Sequence, residues 1–343
     1  MGARQLSKSA LDGCESDECL ALFCEVGMVA VVMTAPIDVI LPTFNGALFL
    51  REQVDSIAAQ TLRPARLLVR DDGSSDLTRN VIRELAAEYG SWIKILPAQG
   101  NLGCAANVSC LLEATSAPYV ALADQDDVWL PEKLEVAYRE MCSVESVKGS
   151  NCPVLVHTEL RLVGRNLEDL GAVFTQKQLI NPALIKPSEI ALTNVVTGCT
   201  VLCNRSLLQH ALPVPALALV HDWWLALVAS VFGEIHFHSS SLILYRQHGA
   251  NTIGATGLGW RYWFQRLMQW ILHPAKGGHT LEAIRQMDCF EQRYGVCVSP
   301  LPRLIRLSRW RRILWFCKTP VSDWPHKHGV LRTLALYFWL LRI

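Results

Sequence analysis

The stretch Ile37-Asp38-Val39-Ile40-Leu41-Pro42-Thr43-Phe44-Asn45 sets the reading of this chain. Ile37 to Leu41 is a largely apolar run of strand length ended by Pro42, which delivers Thr43 and Asn45 just past a strand's carboxyl end. Onward from there, Leu50, Val54, Ile57 and Ala58 recur at i, i+4, i+7 and i+8, one face of a helix. Leu67 to Val69 reads as a second strand, followed by the turn Gly73-Ser74-Ser75-Asp76. Asp76 suits the N-cap of a helix whose inner face is Leu77, Val81, Leu85 and Tyr89. Ile93 to Leu96 reads as a third strand, Ala105 to Thr115 as a helix and Tyr119 to Ala123 as a fourth strand. Pro131 fits the first turn of a further helix with Leu134, Tyr138 and Met141 inward. The alternation β-α-β-α-β-α-β predicts an α/β fold, a mainly parallel sheet with helices on both faces.

In such a sheet the site lies beyond the carboxyl ends of the strands. Thr43 and Asn45 follow strand one, Asp71 and Asp72 strand two, Asn101 strand three, and Asp124, Asp126 and Asp127 strand four. Carboxylates converging on one edge repel unless a cation is present, and oxygen-only ligands select a hard ion, Mg²⁺ or Mn²⁺. The chain has no G-x-G-x-x-G and no G-x-x-x-x-G-K-[ST], so a diphosphate here would be held mainly through the metal.

Four motifs stand in register: Leu41-Pro42-Thr43-Phe44-Asn45-Gly46, Arg70-Asp71-Asp72-Gly73-Ser74-Ser75-Asp76, Asn101-Leu102-Gly103 and Asp124-Gln125-Asp126-Asp127. Their order and spacing resemble the family 2 glycosyltransferases. The resemblance implies a GT-A (Rossmann-like) fold, a nucleotide-activated sugar donor, a divalent metal and inversion at the anomeric centre. It continues through Thr197-Gly198-Cys199, His221-Asp222-Trp223-Trp224 and Tyr245-Arg246-Gln247-His248. The last two motifs are most similar to the bacterial rhamnosyltransferase branch, which uses dTDP-L-rhamnose to build surface polysaccharides.

Position by position, the resemblance implies that Asp72 contacts the pyrimidine while Thr43 and Asn45 line the nucleotide pocket, with Asn101 beside them. It places Asp124 at the ribose or the metal's water shell, Asp126 on the metal, and Asp222 as general base. Arg246 and His248 would belong to a loop closing over the diphosphate. Many members carry Arg or Lys soon after Asn-x-Gly, whereas here the helix reads Cys104-Ala105-Ala106-Asn107, so Arg246 is the expected phosphate cation. Trp223 offers a ring face for a sugar, and Trp224 is expected in the core. Asp222 lies on an apolar segment that should be a buried helix, where burial would raise its pKa and strengthen it as a base.

Composition excludes other classes. Apolar residues are 51% and charged residues 18%, too apolar for a disordered chain. A net charge of +1 excludes a globally basic nucleic-acid binder. Leu20 to Met33 is short, broken by Glu25 and preceded by acids, unlike a secretory signal. Leu6 stands where a myristoylation pattern wants Ser or Thr. Cys14, Cys19 and Cys24 recur every five residues, unlike zinc ligands. Several other cysteines, Cys199 among them, sit in apolar runs as small hydrophobes. The expected location is cytoplasmic, with Met28 and Met33 as alternative starts.

The expected organisation is an N-terminal extension over 1–35, a glycosyltransferase domain over 36–255 and a helical C-terminal region over 256–343. The middle domain divides into a nucleotide half (36–145) and an acceptor half (146–255). Residues 301–343 carry nine Lys/Arg against Asp323 alone, a net +8, leaving −7 on the rest. Trp and Leu interleaved with Arg303, Arg306, Arg309, Arg311, Arg312 and Lys318 suit an anionic membrane surface and an acceptor on a polyprenyl lipid. A helical subdomain with ordinary surface arginines is the alternative. The predicted activity is inverting, metal-dependent transfer of L-rhamnose from dTDP-L-rhamnose to a saccharide or lipid-linked acceptor. A nucleotidyltransferase would need a cation between Pro42 and Leu48, and none is there. A non-catalytic sugar-nucleotide-binding subunit has no reason to keep both Asp126 and Asp222.

Overall fold

The computed structural model describes residues 34–98, 100–248, 278–325, 327 and 330–342. The N-terminal cysteines, Trp260, Trp263, Trp270 and the segment expected to close over a diphosphate after His248 lie outside the described residues. The first half alternates as expected: β1 (Thr34–Thr43), α1 (Leu50–Ala58), β2 (Arg63–Asp71), α2 (Thr78–Tyr89), β3 (Ile93–Ile95), α3 (Cys104–Ala114) and β4 (Tyr119–Leu122). A short β5 (Val128–Trp129) and α4 (Lys133–Lys148) follow, then β6 (Val154–Val163), β7 (Asp169–Val173), α5 (Phe174–Gln178) and α6 (Pro187–Ile190). β8 (Leu202–Asn204), α7 (Arg205–Ala211), α8 (His221–Phe232) and β9 (Glu234–Arg246) complete the sheet. The helices α9 (Gly278–Tyr294), α10 (Leu301–Leu304), α11 (Arg309–Lys318) and α12 (Val330–Arg342) form the C-terminal region.

Among the described residues the strands form one sheet in the order β3-β2-β1-β4-β8-β6-β9-β5, with β7 on β6. Strands β3, β2, β1 and β4 are parallel. The second half is mixed: β8 runs antiparallel between β4 and β6, β6 pairs β9 in parallel, and β5 caps β9 antiparallel. Alternate residues of the central strands enter opposite layers, as the period of two requires. Ile40, Leu68, Val120 and Leu122 join the layer of α3, α8 and the C-terminal helices. Ile37, Val39, Leu41, Leu67, Val69 and Ala121 join the layer of α1, α2 and α4. A sheet covered on both faces buries its strands whole, so Ile37 to Leu41 is continuously buried, Asp38 included. Asp38 is neutralised there by both Arg66 Nε (3.1 Å) and Nη2 (2.7 Å) and by the Thr115 hydroxyl (2.5 Å).

Two local expectations need correction. The inner face of α2 is Thr78, Ile82 and Leu85, while Leu77 is exposed, because the helix begins one residue later than the pattern suggested. Asp76 still serves the helix start, its Oδ1 accepting from Thr78 N–H at 2.9 Å. On α4 the buried face includes Lys133 beside Leu134, Ala137 and Met141. In the C-terminal region α12 packs inward through Leu336, Trp339 and Leu340, and no described helix is long and apolar enough to cross a membrane.

Candidate active site

The register of β1 and β2 sets Thr43 opposite Asp71, and Asp72 N–H donates to Thr43 O at 2.8 Å. These residues therefore reach the sheet edge at one level. Thr43 is buried, its hydroxyl 3.4 Å from Asp71 Oδ1. Asn45 adopts a left-handed φ of 50°, a region Asn tolerates better than most residues. It donates its N–H to Ser74 Oγ (2.9 Å) and accepts from Ser75 N–H (2.9 Å), tying the first loop to the second. Burial tends to raise the pKa of Asp71, but hydrogen bonds from Arg79, Ser74 and Gly73 outweigh it and hold the carboxyl below its ordinary value.

Asp72 is tied into the fold at the same edge. It is buried, with Oδ1 accepting from Leu102 N–H (2.9 Å) and Arg70 Nη1 (3.1 Å), and Oδ2 from Gly103 N–H (2.8 Å). It anchors the Asn101-Leu102-Gly103 loop. Asn101 itself is exposed, its Oδ1 accepting from Gly103 N–H at 3.1 Å.

The Asp124-Gln125-Asp126-Asp127 segment follows β4. Gln125, to which sequence reasoning gave no role, donates Nε2–H to Phe44 O (2.9 Å) and accepts from Phe44 N–H (2.8 Å). This double amide bond fastens the acidic loop onto the loop after β1. It also explains Gly46, where a Cβ would fall 2.2 Å from Gln125 Oε1. Asp126 Oδ2 lies 2.9 Å from His248 Nε2, and its backbone carbonyl accepts from Arg246 Nε at 2.8 Å. Asp127 is fully buried, with Oδ1 accepting from Arg246 N–H at 3.2 Å and Oδ2 without a hydrogen bond.

Asp222 stands in the first turn of α8, whose residues from His221 to Ala229 are all buried. Its Oδ1 accepts from Trp223 N–H (2.6 Å) and Asn194 Nδ2 (3.2 Å). The helix N-terminus and these donors favour the anion, yet burial dominates and raises its pKa above the ordinary Asp value. Gly198 is required beneath it: a Cβ there would lie 2.9 Å from His221 Nε2 and 3.4 Å from Asp222 Oδ2. His221 is held below its ordinary pKa by burial, against the pull of Asp222.

The electrostatics show that these carboxylates share one edge. Burial first, then the charges of Asp126 and Asp222, push Asp124 up to about 7. Asp127 is raised by burial, Asp124 and Asp126. After desolvation, Asp124, Asp222 and Asp72 all act on the Cys104 thiol at the start of α3 and help drive it to about 12. The acids of strand four and the aspartate of α8 therefore face common ground. Cys199, expected as a small hydrophobe, is buried against this group: its Sγ and one oxygen each of Asp124 and Asp127 lie within 4.8 Å of one another. Behind them Lys133 is fully buried with Nζ 3.4 Å from the Trp129 ring centroid, and desolvation lowers it to about 7 despite Cys199 and Asp127.

The Trp223 expectation is corrected. Trp223 does not offer its ring to a sugar: it is 8% exposed, packed in the core layer, and its indole N–H donates to Ile190 O at 2.5 Å. Trp224 is core as expected, donating to Ala211 O at 2.9 Å. Arg246 is 2% exposed and its guanidinium serves the protein: Nε donates to Asp126 O, Nη1 to Arg165 O (2.5 Å) and Nη2 to Glu52 (2.5 Å), with the group 4.4 Å over the Phe49 ring. It holds the Asp126 backbone. His248 lies tilted against the same Phe49 ring, with centroids 4.9 Å apart. Beside them an open cleft of about 510 Å³ is lined by Leu48, Glu52, Asn166 and their neighbours. Gln125, Asn194 and Lys133 gave no sequence signal of their own; only their tertiary neighbours reveal what they do.

A parallel β3-β2-β1-β4 edge bearing clustered aspartates, continued by a mixed half that returns one more aspartate to it, defines the GT-A class of fold. Residues 38–166 match the family Glycosyl transferase family 2. An uncharacterized glycosyltransferase of Rickettsia prowazekii is 28% identical over 217 residues, 63% of this chain and 65% of that protein, less than two thirds of its length. One from Rickettsia typhi is 26% identical over 317 residues, 89% and 96% of the two chains. The dTDP-rhamnosyl transferase RfbG of Shigella flexneri is 28% identical over 221 residues, 63% of this chain and 74% of that one. Among solved structures, S. aureus TarS 1-349 in complex with UDP-GlcNAc superposes with a TM-score of 0.50 at 15% identity, over 84% of this chain and 77% of that one, a likeness of fold alone.

Proposed function

We propose that this protein is an inverting, metal-dependent glycosyltransferase that moves a sugar from a nucleotide-activated donor to an acceptor hydroxyl. The observation that carries this is the pairing of Asp124 and Asp126 with Asp222 on one sheet edge, with Asp124 raised to about 7 by burial and by the other two. Such crowding is relieved by a divalent cation. The carboxylates suit a hard ion: Asp124 and Asp127 bring one oxygen each within 4.8 Å of the other and of Cys199 Sγ, and Asp126, the expected ligand, lies close enough to raise Asp124. A Mg²⁺ or Mn²⁺ ion bound there would neutralise charge on the leaving diphosphate.

The remaining chemistry belongs to side chains. Asp222, oriented through Oδ1 by Asn194 and Trp223 N–H, takes the proton from the attacking hydroxyl. A carboxylate with a raised pKa is the better base for that step. Burial favours a neutral His221, which leaves the base as the nearby anion. Asn45, Asn101 and the Gln125-clamped loop shape the nucleotide side, and His248 orients Asp126 from the other.

For the donor we propose dTDP-L-rhamnose, supported by the RfbG relative and by the His221-Asp222-Trp223-Trp224 and Tyr245-Arg246-Gln247-His248 motifs. The acceptor is a saccharide, free or on a polyprenyl lipid. A thermal-shift screen of nucleotide sugars with and without Mn²⁺ tests this. Stabilisation by dTDP-rhamnose only with metal is expected; a preference for a UDP- or GDP-sugar would reject the donor, and no response to any nucleotide sugar would reject the activity.

A further inference from the structure

We infer that the outer face of α11 seats this protein on an anionic lipid surface. The helix is amphipathic in an unusual sense. Its inner side is fixed by aromatic packing: Trp315 and Phe316 lie against the core, and Phe316 meets Trp324 edge-on at 4.8 Å and Tyr337 at 5.7 Å. Its outer stripe, at i, i+1, i+4 and i+8, is Trp310, Arg311, Leu314 and Lys318, all exposed. Trp310 is 76% and Leu314 54% exposed, one turn apart, a large apolar outlay for a face with nothing packed on it among the described residues.

Charge decides which partner fits. Arg303 pairs with Glu291, Arg306 with Asp288, and Arg312 is buried, so the fold uses those three cations. Arg309, Arg311 and Lys318 stay exposed, and residues 301–322 contain no acid. A soluble anion would satisfy the cations but not Trp310 and Leu314. An apolar partner would satisfy those two but not the cations. The headgroup layer of an anionic bilayer meets both needs, with the indole at the acyl boundary and the basic groups among phosphates. The proposal does not depend on the transfer chemistry, so vesicle binding and donor binding stand or fall separately.

The test is sedimentation of the full chain with phosphatidylcholine vesicles, with or without phosphatidylglycerol, at low and high salt. Binding only to the anionic vesicles, weakened by salt, is expected. R311E/K318E should weaken partitioning about 25-fold or more, since each basic residue contributes roughly fivefold. W310S should weaken it on the order of tenfold at unchanged charge. All three side chains are exposed, so the melting temperature should stay near wild type. Failure of the wild type to sediment, equal binding to neutral vesicles, or wild-type binding by W310S would overturn the proposal. So would displacement by inorganic phosphate at matched ionic strength, which would mark a soluble-anion site.

Discussion

Replacing Gly198 by alanine probes the base while leaving its carboxylate in place. The added Cβ would lie 2.9 Å from His221 Nε2, closer than real contacts allow, and 3.4 Å from Asp222 Oδ2. Gly198 is not in the left-handed region, so the backbone accepts alanine and the perturbation is steric alone. His221 is buried at the start of α8 and cannot swing into solvent. Its ring must move by about half an ångström to restore van der Waals distance, and it carries the first turn holding Asp222 with it. A displacement of about 1 Å at a reacting group costs about 10²-fold, so half of that predicts a fall in kcat of roughly tenfold. Overpacking should cost about 1–3 kcal/mol of stability, a drop of a few degrees in melting temperature. The assay is steady-state turnover of the nucleotide sugar, with donor affinity measured by calorimetry on the same preparations. Donor affinity should fall less than kcat, because the added Cβ meets His221 and Asp222 and not the Asp124–Asp127 loop that Cys199 packs against. Wild-type kcat, or lost donor affinity with kcat intact, would refute the reasoning.

Two further outcomes follow from the buried ionisable groups. Asp222→Asn should lower kcat by about 10²–10⁴ with donor binding kept. Because burial raises this carboxyl and only its anion is a base, wild-type kcat/KM should rise with pH through a value above 3.8, and the variant should lose that limb. Lys133 is lowered to about 7 by burial, so between there and its ordinary 10.5 the unfolded chain binds more protons and stability rises with pH. In Lys133→Met that rise should flatten in melting curves taken across the interval; an unchanged slope would mean the ammonium is solvated.

The first half was legible in the sequence because its strands are buried on both faces and its polar residues follow each strand end, so pattern and placement coincide at Thr43, Asn45 and Asp124. Leu77 misled because neither hydrophobic spacing nor the turn chemistry of Asp76 marks the first helical residue: Asp76 accepts from Thr78 N–H, and the helix begins at Thr78 rather than Leu77. Asp72 and Arg246 are polar residues at a sheet edge whose protein partners one dimension does not reveal. The structure shows one anchoring the backbone of Leu102 and Gly103 and the other the backbone of Asp126. Trp223 misled in the opposite direction: two adjacent tryptophans on one helix point about 100° apart, yet α8 is enclosed on all sides, so both are core. Gln125 and Lys133 act through partners far away in sequence, Phe44 and Trp129 among them, and no local pattern announces such contacts.

The central claim is that one sheet edge divides the work, Asp126 serving the metal and donor and Asp222 the acceptor proton. Calorimetric titration of the nucleotide sugar in the presence and absence of Mn²⁺ tests it on wild type, Asp126→Ala and Asp222→Asn. Metal-dependent donor binding should survive in Asp222→Asn and vanish in Asp126→Ala. Retention of metal dependence by Asp126→Ala, or its loss in Asp222→Asn, would contradict that division.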